Sequence, residues 1–111
     1  MKVRLMNSAM MPKEGVYRAV KITKQEFIKE IKEAYNKGIL ESYIGYENNV
    51  ELIKKWTGIT VELRRVPTTV EDGDVLLVLK LKYRVQNPSQ KGKFQPSEED
   101  YEFYKVYYSE G

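Results

Sequence analysis

The spacing of apolar residues along this chain changes several times, and each change marks an element. Val3 to Asn7 reads as a short strand, and Pro12 ends pairing in the loop that runs on to Gly15. Val16, Arg18, Val20 and Ile22 then alternate with Tyr17, Ala19 and Lys21, the period of a second strand. Thr23 and Glu26 form a capping box, in which each side chain takes a backbone amide left over at a helix start. The helix it opens carries Phe27, Ile31, Ala34 and Tyr35 on one face, and Gly38 stands where a left-handed cap would stop it.

Ser42 to Asn49 leads into a second short helix, with Asn48 or Asn49 as N-cap, Val50, Ile53 and Trp56 as its buried stripe, and Gly58 at its end. Ile59, Val61 and Leu63 alternate with Thr60, Glu62 and Arg64, which predicts a third strand. After the turn Glu71-Asp72-Gly73-Asp74, the run Val75 to Leu79 is almost wholly apolar, as in a central strand covered on both faces. Beyond it Leu81, Tyr83 and Val85 alternate with Lys80, Lys82 and Arg84, so the far end of the strand presents a row of cations. Gln86 to Lys93 is an exposed loop; its Lys91-Gly92-Lys93 lacks the second glycine and the following helix of a phosphate loop. Ser97 with Asp100 caps a turn of helix, and Tyr104 to Tyr108 is a final strand. The order strand, strand, helix, helix, strand, strand, helix, strand predicts an α/β fold with a mixed sheet flanked by helices. At 111 residues it forms one domain, 1–111.

Composition narrows the chemistry. There is no cysteine, which removes disulfides, thiolate metal sites and cysteine nucleophiles and fits a reducing compartment. There is no histidine either, so proton transfer near neutral pH has to use Tyr, Lys, Arg, Asp, Glu or Ser. No cofactor or metal is expected. The 19 basic and 16 acidic residues are interspersed for a net charge of +3, too slight for a nucleic-acid coat, so nucleic acid is not an expected partner. The abundance of Lys and Glu is a balance seen in proteins from hot environments. No apolar run reaches signal-peptide or membrane-spanning length, and the expected location is the cytoplasm of a host cell.

Several pieces, in order, resemble the viral anti-CRISPR ring-nuclease family of archaeal viruses. Leu5-Met6-Asn7-Ser8-Ala9 is similar to that family's opening strand with its asparagine, and Ser42-Tyr43-Ile44-Gly45-Tyr46 stands where the family carries Ser-Ala-Ile-Gly-His. Arg65-Val66 resembles its Asn-Arg-Val, and Gly73-Asp74 with the run from Leu77 to Arg84 resembles its turn and long strand ending in arginine. Tyr101-Glu102-Phe103 matches its closing Tyr-Glu-Phe. The resemblance implies a two-fold homodimer enclosing cyclic tetra-adenylate, the second messenger of type III CRISPR systems, which family members cleave without metal. In that reaction a ribose 2′-hydroxyl of the ligand attacks the adjacent phosphate, a histidine protonates the leaving 5′-oxygen, and an arginine stabilises the developing charge. Carried over position by position, Tyr46 takes the histidine's place and Arg84 the arginine's. The binding contacts fall on Asn7, Asn48, Asn49, Arg65 and Lys80, together with Arg84.

The chain departs from the family at two places. Tyr46 replaces the general acid, and the family's Pro-Glu-Gly after the arginine gives way to Gln86-Asn87 and a longer loop. Both changes fall on the chemistry, while the binding positions stay polar or basic. Taken by themselves, Asn48 and Asn49 serve equally as helix caps or at an anion-binding helix start, and Tyr46 as a packed aromatic, an adenine-stacking surface or a weak acid. Retained binding with slow or absent cleavage is the expectation; an active metal-independent nuclease using Tyr46, and a fold redirected to another nucleotide, nucleic acid or host protein, are the alternatives.

Overall fold

The computed structural model describes residues 1–7, 13–64, 69–82 and 100–111. Along them run β1 (Val3–Met6), β2 (Val16–Ile22), α1 (Lys24–Asn36), β3 (Leu40–Tyr43), α2 (Glu47–Thr57), β4 (Val75–Leu81) and β5 (Tyr101–Ser109). The strands form one mixed sheet in the order β2-β5-β4-β1-β3. β1 lies between β3 and β4 and is parallel to both, whereas β5 pairs antiparallel with β4 and with β2. The expected α/β domain with a mixed sheet is the fold observed, with both helices on the same face of it.

Alternation within each strand divides the core in two. Val3, Leu5, Val75, Leu77, Leu79, Tyr101 and Phe103 face the helices and pack against Phe27, Ile31 and Ala34 of α1 and Ile53 of α2. Met6, Leu76, Val78, Val106 and Tyr108 face the other way and pack with Val70. β4 is covered on both sides, the physical reason for its unbroken apolar run. At the other extreme β2 is a sheet edge, with Val16 59% and Val20 37% exposed.

The helices begin and end by the expected devices, with two corrections. Thr23 and Glu26 close the capping box, and Gly38 and Gly58 adopt left-handed φ values of 70° and 78° at the helix ends. Tyr35 is 57% exposed, because one step of about 100° beyond Ala34 carries it off the narrow buried arc of α1. The N-cap of α2 is Tyr46, whose side chain makes no capping bond; Asn48 and Asn49 lie inside the first turn.

Two strand assignments also change. Residues 59–63 form no strand of the sheet: they touch it by a single bridge, Ile44 to Leu63, and by the Ser42 hydroxyl, which donates to the Glu62 carbonyl at 2.7 Å. A side chain thus stands where a backbone ladder would need direct contact. The edge strand is instead Leu40–Tyr43, which has one aliphatic residue and no readable alternation, and is held by pairing with β1. The final strand begins at Tyr101 rather than Tyr104, and β4 ends at Leu81. The sequence assignments to Tyr83 through Lys93 and to Ser97 lie outside the described residues.

A buried polar cluster ties the parallel strands at their amino ends. Arg4 of β1 is 5% exposed and Asp74, just before β4, is 2% exposed; Arg4 Nε donates to Asp74 Oδ2 at 3.0 Å. The Lys2 and Glu71 amides also donate to the Asp74 carboxylate, each at 2.8 Å. Arg4 Nη1 reaches Glu41 Oε2 of β3 at 2.7 Å, the Tyr43 hydroxyl at 3.1 Å and Thr69 Oγ1 at 3.2 Å. Burial alone would raise the Asp74 pKa, but these amide and guanidinium hydrogen bonds outweigh it and hold the carboxyl below its ordinary value. Because the folded pKa is the lower one, the stabilisation is complete above the unfolded value of about 4 and is lost as pH falls through the folded value. Asp74→Asn leaves the buried Arg4 guanidinium with the Glu41 carboxylate but without that of Asp74 and should cost about 1 to 3 kcal/mol, measured as a lower midpoint of denaturant unfolding at neutral pH. The variant should also lose less stability than the parent on acidification below about pH 4.

Candidate functional site

In an open sheet with parallel strands, ligands bind beyond the carboxyl ends of the strands, at the point where successive strands leave a central one in opposite directions. Here that point is the end of β1, since the next parallel strand, β3, lies on one side of it and β4 on the other. Asn7 follows directly on β1, and Gly45 and Tyr46 connect β3 to α2. Asn7 Oδ1 accepts the Gly45 amide at 2.8 Å, which ties the end of the central strand to the turn that aims α2.

α2 therefore starts beside the end of β1. The Tyr46 carbonyl accepts the Asn49 and Val50 amides at 3.1 and 3.2 Å, while the Tyr46 side chain is 50% exposed. No side chain caps the helix, so the Glu47 and Asn48 amides at its very start are the ones placed to meet an anion. Asn49 is 5% exposed, and its Oδ1 accepts the Tyr101 hydroxyl at 2.6 Å. Asn48 Nδ2 donates to the same hydroxyl at 3.4 Å. Tyr101, the first residue of β5, is buried with the helix-side core.

Asn7, Tyr46, Asn48 and Asn49 thus gather around one end of β1. Lys80 does not join them. It shares the alternation of Leu76 and Val78 and so projects on the face away from the helices, opposite Glu102 of β5 in the strand register. There the Tyr104 hydroxyl, 2.7 Å from Glu102 Oε2, holds that carboxyl below its ordinary pKa, with help from Lys21, Lys80 and Lys82. Arg65 and Arg84 lie outside the described residues. Among the described residues, no group of three or more carboxylates is placed to share a metal ion. No helix among them is long and apolar enough to cross a membrane.

Sequence reasoning missed the part played by Tyr101, which entered only as one letter of a matching tripeptide. A buried tyrosine needs a partner for its hydroxyl, but nothing in the spacing says that the partner lies 52 residues away in α2.

These features define a small mixed α/β domain with polar residues gathered at a strand switch point. Residues 3–107 match the family model described as STIV B116-like, and the chain belongs to that family. It is similar in structure to B116 of Sulfolobus turreted icosahedral virus, with a TM-score of 0.77 and 20% sequence identity over 96% of this chain and 98% of that one. The relationship places the chain with an archaeal virus protein of the same fold. No curated protein matches it.

The tie between Asn7 and Gly45 is directly testable. Asn7→Ala removes the Oδ1 that accepts the Gly45 amide and should cost about 1 to 3 kcal/mol. Hydrogen exchange at Gly45 should speed up, while exchange in the middle of β4 follows only the global change in stability.

Proposed function

We propose that this protein binds cyclic tetra-adenylate as a homodimer and acts chiefly by sequestering it, with slow or absent cleavage. The observation that carries the reading is the placement of Asn7, the exposed Tyr46 and the start of α2, which no side chain caps, at the end of the central parallel strand. A cyclic oligoadenylate carries one negative charge per phosphodiester and a ring of bases. It therefore needs amide and cationic donors for the former and aromatic or carboxamide side chains for the latter. Arg65 and Arg84 enter the proposal by resemblance, as the guanidinium partners of those phosphates. A ligand with four-fold repetition is most simply grasped by two identical half-sites about a two-fold axis, which is the reason for proposing a dimer.

Tyr46 supports binding over turnover. A general acid contributes about 100 to 10,000-fold when its pKa lies near the working pH, and phenols ordinarily titrate about three units above neutrality. An exposed aromatic ring beside a helix start can still stack on adenine.

Labelled cyclic tetra-adenylate should bind and be recovered intact after release. Tyr46→His should raise the single-turnover cleavage rate in chelator, up to the range of about 100 to 10,000-fold that general acids supply. Fast cleavage by the parent that is abolished in Tyr46→Phe would make the tyrosine itself the acid; failure to bind any cyclic oligoadenylate would point to a redirected fold. In light scattering the protein should be a dimer at micromolar concentration before ligand is added, and a monomer with and without ligand would overturn the two-fold site. Arg84→Ala should weaken binding by roughly 2 to 5 kcal/mol, read by titration calorimetry.

A further inference from the structure

The hydroxyl of Tyr101 is shared between neighbouring carboxamides, and the two contacts differ. The contact to Asn49, 2.6 Å, has the length of an O–H···O bond and is short for an amide nitrogen. It therefore turns the oxygen end of Asn49 toward Tyr101 and uses the single phenolic proton. Asn48 can then only donate to the same oxygen, which it does through Nδ2 at 3.4 Å. The remaining ends of both side chains are set as a result: Asn49 offers Nδ2 as a donor and Asn48 offers Oδ1 as an acceptor.

Among the described residues neither of these ends has a hydrogen-bond partner. Among the described residues no fully buried side-chain nitrogen or oxygen is unsatisfied, so the Nδ2 of the otherwise buried Asn49 is the corner of that side chain left open. A nine-tenths buried carboxamide with one open donor, beside a second with one open acceptor, suits a ligand edge that carries both functions. Adenine has such an edge, with N6 donating beside an accepting ring nitrogen. Hypoxanthine, its 6-oxo analogue, places an acceptor where adenine donates.

We infer that Tyr101 is a positioning residue that sets the hydrogen-bonding polarity of Asn48 and Asn49 and thereby selects adenine over 6-oxopurines. This rests on the binding reading above and adds to it the determinant of base choice. Tyr101→Phe removes the shared hydroxyl and keeps the ring in the core. Both carboxamides are then free to turn, and either can present whichever end a base requires.

The test compares binding of cyclic tetra-adenylate and cyclic tetra-inosinate by the parent and by Tyr101→Phe, with the thermal midpoint of each protein measured alongside. The parent should prefer the adenylate ring, and the variant should lose about tenfold of that preference, mainly by binding the inosinate ring better. A purely structural role would weaken both ligands together and leave their ratio unchanged, which overturns the inference. Asn48→Ala, which removes the acceptor at a partly exposed position, should lower the same ratio without improving inosinate binding; an unchanged ratio there also overturns it. If the parent binds neither ring, the binding reading itself fails and takes this inference with it.

Discussion

The Arg4–Asp74 pair is the constraint on which the rest of the structure depends. A buried guanidinium and a buried carboxylate tolerate the interior only if each is fully hydrogen-bonded. The groups that satisfy them come from the chain ahead of β1, from β3, and from the turn before β4. Placing those partners fixes where the three parallel strands start relative to one another, and in a strand a slip of one residue exchanges its two faces. Val3 and Leu5 stay toward the helices, and Met6 toward the second core, only while that alignment holds.

The opposite ends of the same strands are joined more lightly. Asn7 holds Gly45, and Tyr101 holds Asn49 and Asn48, through neutral hydrogen bonds at the rim of the sheet. At the other end, by contrast, both oxygens of the charged Asp74 carboxylate are engaged. One end of the parallel sheet is tied by a buried ion pair and the other by neutral hydrogen bonds.

Much of the fold was legible in the residues. The capping box at Thr23 and Glu26, the glycines that stop both helices and the doubly covered run of β4 each follow from local chemistry. Leu40–Tyr43 was not legible, because its place as a strand depends on β1 lying beside it and not on any alternation of its own. The reverse error at Ile59, Val61 and Leu63 has the same origin: alternation describes which side chains can be buried, and pairing needs a neighbouring backbone within reach. At the site, Asn7, Tyr46, Asn48 and Asn49 could be named from a resemblance, but the burial of Asn49, the separation of Lys80 onto the other face and the hydroxyl that links two elements are tertiary facts.

Tyr46 occupies an unusual position in this economy. Its backbone starts α2, yet its side chain caps nothing and stands half in solvent. The helix start therefore does not depend on a capping bond from whichever residue stands there. A ring of different chemistry at this position would change what the end of the sheet presents to solvent while the backbone that starts α2 stays as it is.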